Sequence, residues 1–290
     1  MANPFTLLTG ASAGIGKEMA IICAKRGFNL LLVSLPGSNL SSFANELREN
    51  FKVEVDYFEI DLSETHAPVD VYNWCVDNGY QVNILINNVG TGGRGKFETL
   101  ELSDIQSMIQ INTCVISSLT NLFIPMLRQQ KKAFILNVSS TASYFNIPNK
   151  ALYAATKAFV NTLTSSLRNE LAKTNISVSL LCPGGSTHRV DAHVGKKLNK
   201  YFVNIIHETP QSIAKAGIDG MLKKKRLILP GTASKLYVLV SKLIPVVIAD
   251  KLVNRLFRPS MEKVGKNKKR LVVAESVDIL HLLIPVLFFS

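Results

Sequence analysis

The strongest constraint on this chain is a regular alternation, over its first two-thirds, of short apolar runs with stretches of helical periodicity. The runs fall at residues 5–9, 28–34, 53–60, 82–87, 133–138, 176–182 and 227–230. Several are continuously apolar, such as Ile84-Leu85-Ile86, as strands covered on both faces must be. Helices are expected between them at 14–26, 39–50, 67–78, 103–130, 154–173 and 210–223, with Ser103 and Gln106 spaced as a capping box. A chain that alternates in this way folds as an α/β domain, a doubly wound parallel sheet of about seven strands with helices on both faces.

Ligands of such sheets bind beyond the carboxyl ends of the strands, where strand order reverses. Four unusual segments fall at that edge. Thr9-Gly10-Ala11-Ser12-Ala13-Gly14-Ile15-Gly16 follows the first strand and opens the first helix. Glycines there permit a tight turn and close approach of backbone to a pyrophosphate, which the helix N-terminus then faces. Asn87-Asn88-Val89-Gly90 ends the fourth strand, Ser139-Ser140 the fifth, and Pro183-Gly184 follows the sixth.

Tyr153 and Lys157 stand four apart, so on a helix they share a face. A free phenol loses its proton near pH 10, and a neighbouring ammonium favours the phenolate, which suits the pair to proton exchange. A hydroxyl at Ser140 can hydrogen-bond a reacting oxygen. Ser139 competes for that role, and strand alternation puts the two on opposite faces. Asn112 is a polar residue inside the apolar run 108–116, which fits either a catalytic amide or a structural one that has found its partners.

In this order TGxxxGIG, Asp61, NNVG, Asn112, Ser140, YxxxK and Pro183-Gly184 resemble the short-chain dehydrogenase/reductase family over about residues 4–230. The resemblance implies a Rossmann-type fold and a nicotinamide-dependent oxidoreductase of CH–OH and C=O groups. By it Tyr153 is the general acid/base, Ser140 holds the substrate oxygen, Lys157 binds the ribose, and Asn112 supports a proton relay. Gly10, Ser12, Gly14 and Ile15 would cradle the pyrophosphate, Asp61 would meet the adenine, and Asn88 would lie beside the adenosine half. Gly16, Ser34, Leu62, Gly90, Pro183 and Gly184 complete the expected cofactor site, and Thr187 is its candidate at the nicotinamide end. Members that prefer NAD(H) carry an acidic residue at the end of the second strand. Ser34 stands there, followed by Leu35, so the reading favours NADP(H) over NAD(H). The competing class is a nucleotide-sensing or membrane-associated binding protein that uses the same fold without catalysis.

Residues 1–230 thus read as the dinucleotide-binding and catalytic domain, and 231–290 as a helical, basic and apolar extension. The net charge of +12 is concentrated late, in Lys223–Arg226 and again over 263–270, so it argues for an anionic surface at that end and not for nucleic acid. Residues 234–257 mix Leu, Val and Ile with Lys235, Lys242, Lys251 and Arg255, and 279–289 are strongly apolar. For this extension the expectations are an interfacial membrane helix giving a peripheral membrane contact, a substrate lid, or a face covering the core or a partner subunit. Tyr144, Phe145 and Ile147 suggest an apolar substrate wall, hence a hydrophobic ketone or alcohol. The four scattered cysteines fit reduced thiols in a cytoplasmic setting. The family resemblance implies a homodimer or homotetramer.

Overall fold

A computed structural model describes residues 3–93, 95–184, 208–245 and 247–251. The apolar runs form seven parallel strands: β1 (Phe5–Thr9), β2 (Asn29–Ser34), β3 (Val55–Glu59), β4 (Val82–Asn87), β5 (Ala133–Val138), β6 (Ile176–Leu181) and β7 (Leu227–Ile228). Their spatial order is β3-β2-β1-β4-β5-β6-β7. The chain winds outward from β1 to β3, then returns across the sheet to β4, so the crevice between β1 and β4 is the reversal point.

Helices cover both faces, and the strand alternation decides which residues they cover. Leu30 and Leu32 of β2 pack with α1 (Gly14–Lys25), α2 (Leu40–Phe51) and α7 (Pro210–Leu222), through Met19, Leu47 and Ile218. Leu31 and Val33 face the other way. They join α3 (Ala67–Asp77) and α5 (Val115–Arg128) through Val71, Leu119 and Phe123. Truncating any such fully buried leucine to alanine removes about 2–5 kcal/mol, so the sheet with both layers behaves as one core.

Three sequence expectations need correction. The helix expected over 103–130 is instead α4 (Leu102–Ile109), a π-turn (Gln110–Cys114) and α5. The Thr113 hydroxyl donates to the Ile109 carbonyl (2.5 Å) and Ser117 to the Thr113 carbonyl (2.8 Å), both competing with the backbone ladder. The capping box does not form, because Glu101 is the N-cap, it makes no side-chain cap, and Ser103 lies inside the helix. The sixth helix, α6 (Ala151–Glu170), starts three residues earlier than expected, after the left-handed Asn149 that follows Pro148. Tyr153 therefore sits in its first turn. By length and composition Leu102–Arg128 could cross a membrane, yet α5 lies against the sheet through Val115, Leu119 and Phe123.

The chain continues past β7 into α8 (Gly231–Leu243). All four cysteines are free thiols, with Cys23, Cys75 and Cys182 buried and Cys114 exposed.

Candidate active site

The turn between β1 and α1 is built by close approach. A side chain on Gly16 would stand 2.0 Å from the Gly10 carbonyl, so only glycine lets the helix start against the turn. Asn88 braces it from β4: its Nδ2 donates to the carbonyls of Thr9 (3.0 Å) and Gly10 (3.1 Å). The Thr9 hydroxyl in turn accepts from the backbone N–H groups of Asn88 and Val89 (3.1 Å each). Asn88 thus shapes the cradle with both of its amide protons.

Among the described residues none fills that cradle. Ala13 at the N-cap offers no side-chain acceptor, the first turn of α1 holds no acidic residue, and the Cβ position of Gly14 opens onto empty space. The orphan N–H groups and positive end of the helix dipole suit an outside anion. Ser12 Oγ lies 2.7 Å from Ser34 Oγ, which ties the turn to the end of β2. Leu35 beyond it is exposed, and Ser38 Oγ is buried with no hydrogen-bond partner among the described residues. The Lys17 ammonium stands 4.9 Å over the Phe43 ring on α2. At the end of β3, Asp61 accepts from the Ser63 N–H (2.8 Å) and Leu62 is buried. A cradle of unpaired helix N–H groups that no described residue fills fits a phosphorylated dinucleotide.

The reacting groups gather around Gly90–Gly92. Asn112 lies fully buried in the π-turn. Its Nδ2 donates to the Thr91 carbonyl (2.8 Å) and the Thr156 hydroxyl (3.1 Å), and its Oδ1 accepts from the Thr91 N–H (2.9 Å). Thr156 passes its own proton to the Tyr153 carbonyl (2.8 Å). Asn112 therefore clamps the loop after β4 onto the first turn of α6. The buried Lys157 donates to the Val138 carbonyl at the end of β5 (3.1 Å), and its ammonium is 6.0 Å from the centre of the Tyr153 ring. Burial pushes its pKa down from 10.5 to about 8. A Cβ on Gly90 would stand 3.0 Å from Lys157 Nζ and 3.3 Å from Asn112 Oδ1, which explains the glycine of the NNVG segment. The Tyr153 ring lies against Gly92.

The two serines separate as alternation predicts. Ser139 is buried and donates to the Lys157 carbonyl (2.9 Å), so its proton is taken. Ser140 accepts from the Ala142 N–H (3.1 Å), which leaves its own O–H able to donate. The Thr141 N–H donates to the Pro183 carbonyl (2.9 Å), so the Pro183-Gly184 segment is laced to the serine loop. Thr187, His188 and His193 lie outside the described residues.

Sequence reasoning passed over Thr91, Thr156, Ser143 and Asn161. Asn161 donates to Ser143 Oγ (2.7 Å), and Ser143 donates to the Ser140 carbonyl (2.6 Å), which fixes the serine loop against α6. The signal was available: Thr156 and Asn161 are polar residues following Tyr153 by three and eight places, on the side of α6 that meets the motif loops. The expected apolar wall is partly filled, because Phe145 and Ile147 are buried against Tyr237 and Val238 of α8, with Tyr153 packed beside them. A small apolar pocket remains on the other side of Tyr153, lined by Phe97, Leu100, Met108 and Leu152.

A family model described as short chain dehydrogenase matches residues 5–199. The very-long-chain 3-oxoacyl-CoA reductase-A of Danio rerio is 31% identical over 185 residues, 62% of this chain and 57% of that protein. The very-long-chain 3-oxoacyl-CoA reductase of Homo sapiens is also 31% identical, over 62% of this chain and 58% of its own length. The chain therefore spans less than two-thirds of the curated relatives it matches. Among solved structures, the bulky-bulky ketone specific alcohol dehydrogenase from Comamonas testosteroni is 25% identical with a TM-score of 0.70, over 92% of this chain and 96% of that one. A short-chain dehydrogenase from Sphingobium yanoikuyae in complex with NADPH shares the fold, at 24% identity and a TM-score of 0.68, over 95% and 100% of the two chains. With the family model covering most of the sheet and every segment of the site up to Pro183-Gly184, this chain belongs to the short-chain dehydrogenase family.

Proposed function

We propose that the protein interconverts a hydrophobic ketone or aldehyde with its alcohol, using NADP(H) and Tyr153 as general acid/base. The observation that carries this reading is the meeting of Tyr153, Lys157 and Asn112 around Gly90–Gly92, with Ser140 still holding a proton to donate. When bound, a nicotinamide dinucleotide would supply or accept the hydride. Gly10, Ser12, Gly14, Ile15 and Gly16 would hold its pyrophosphate, and Asp61, Leu62 and Asn88 its adenosine half. Gly90, Pro183 and Gly184 would hold the nicotinamide half, to which the family resemblance adds Thr187 as a candidate.

Ser140 donates to the substrate oxygen and Tyr153 delivers a proton to it in reduction, or takes one in oxidation. The Lys157 ammonium stabilises the tyrosinate left behind. Asn112 acts as a positioning residue, holding Thr91 and the first turn of α6 in register. Ser34 in place of an acidic residue at the end of β2, with its hydroxyl paired to Ser12, supports a 2′-phosphate, although Glu59 stands beside it on β3. Residues 1–230 carry these functions, and those beyond 230 supply part of the substrate wall and a peripheral membrane contact. The free, mostly buried thiols support a cytosolic location, and the family resemblance supports a homodimer or homotetramer. Long-chain 3-oxoacyl thioesters and bulky ketones, the classes that the relatives' names carry, are the first substrates to assay.

Titration of the purified protein with NADPH and NADH is the direct test. NADPH is expected to bind about tenfold more tightly or better, and equal affinities remove the 2′-phosphate reading. Tyr153→Phe is expected to retain NADPH binding and lose about two to four orders of magnitude in turnover. Near-normal turnover in that variant overturns the assignment of the acid/base. Failure of the folded protein to bind either nucleotide overturns the enzyme reading.

A further inference from the structure

Helix α8 has two faces of opposite character. Its inner face carries Ser234, Tyr237 and Val238, all buried. A Cβ on Gly184 would stand 2.9 Å from Ser234 Oγ, and the Tyr237 ring lies 4.3 Å from that of Phe145. The helix is thus pressed against both the Pro183-Gly184 segment and the loop after Ser140.

The outer face is a leucine stripe in solvent. Leu236, Leu239 and Leu243 follow one another at three- and four-residue spacing, with Leu239 53% and Leu243 72% exposed. Val247 and Ile248 extend the apolar surface beyond Pro245. Lys235 and Lys242, both exposed and seven residues apart, run along one edge of the stripe, and Lys251 is exposed at its far end. No acidic residue occurs from 231 to 249, and the Asp250 carboxylate accepts from Asn146 (3.1 Å). The Glu208 carboxylate lies against Gly231 and faces Lys235, so Lys242 and Lys251 are the lysines of this face left with their charge unanswered among the described residues.

We propose that this face docks on an anionic lipid bilayer, with the leucines entering the acyl boundary and the lysines lying among the headgroups. The inference rests on the peripheral membrane contact proposed above and commits it to one surface and one lipid charge. Apolar side chains flanked by lysine are the composition that interfacial helices present to acidic lipid. A second copy of the chain is disfavoured as the occupant, because a two-fold contact through this stripe would bring lysine edges of like charge together in an apolar seam. The net charge of +12 adds long-range attraction of the same sign.

The test is co-sedimentation of the full chain with phosphatidylcholine vesicles, with and without about one-third phosphatidylglycerol. The wild type is expected to pellet with the anionic vesicles only, and Leu239→Glu/Leu243→Glu to lose this by about tenfold or more. NADPH binding and turnover of a water-soluble ketone should stay unchanged in that variant, which separates docking from catalysis. Should the glutamates prevent folding, Lys235→Gln/Lys242→Gln is expected to weaken anionic-vesicle binding several-fold. Undiminished pelleting of these variants overturns the inference while leaving membrane contact through another segment. A wild type that stays in the supernatant overturns both. A smaller oligomer with unchanged pelleting makes the stripe a subunit interface and overturns the inference as well.

Discussion

At the scale of single residues, the site is held by polar groups that spend their hydrogen bonds on one another. Asn112 is an instance: of the two possibilities its sequence position allowed, the structural amide that has found its partners is realised, and it holds Thr91 and Thr156 in place. Lys157 is a residue whose burial opposes its charge. Its pKa of about 8, against 10.5 for an ordinary lysine, means that between these values the unfolded chain binds a proton that the folded chain does not. Stability of the unliganded protein therefore rises with pH across that window, by up to about 3 kcal/mol, and the full penalty applies below it. Thermal melts of the wild type and Lys157→Met are expected to differ most at pH 7, in favour of the variant, and to converge toward pH 10. A difference that does not change with pH would show that the ammonium is not desolvated as the geometry implies.

At the scale of elements, the β1–α1 unit and the α4–α5 helix show what patterning conveys and what it omits. The strand-turn-helix start was legible because its glycines answer a local demand for close approach at Gly16. Gly16→Ala should force the helix away from the Gly10 carbonyl. The expected outcome is a loss of about 1–3 kcal/mol in stability and at least about tenfold in nucleotide affinity, read from melts and titration. Wild-type affinity in that variant would mean that the cradle does not depend on the contact. The break in the fourth helix was not legible, because its apolar periodicity runs on through residues 102–128. At the break the Thr113 and Ser117 hydroxyls bond to carbonyls of the turn before, and Asn112 bonds to residues 91 and 156, contacts that a local window does not show. The early start of α6 escaped for a similar reason, since the left-handed Asn149 is a backbone state that the sequence only permits.

At the scale of the whole molecule, the central strands were readable because helices cover both of their faces, as in the fully buried β1, β2 and β5, whereas the edge strand β3 carries Asp56 and Glu59 and is only partly buried. The seventh strand has two residues, and what secures that edge is the helix before it. There α7 packs on α1, and Arg26 pairs with Asp219, joining points 193 residues apart. Hydrogen bonds from Arg26 and Lys215 hold the Asp219 carboxyl below its ordinary pKa. Its contribution is therefore present above the unfolded value of about 4 and disappears as pH falls through the lower folded one. Asp219→Asn is expected to cost at most about 1 kcal/mol at pH 7, since the pair is partly exposed, and nothing at pH 2. A deficit that persists in acid would trace the loss to packing and not to charge.

The π-turn at Gln110–Cys114 also limits which lengths this stretch of chain can have. A π-turn holds one residue more than regular winding needs, so removing a residue there would let α4 and α5 run on in regular winding, with Val115, Leu119 and Phe123 still on the sheet. What would be lost is the widened turn itself, and with it the place from which Asn112 reaches Thr91 and Thr156. The motif residues can be kept letter for letter and the site still be lost, if a single position is deleted between Ile109 and Val115.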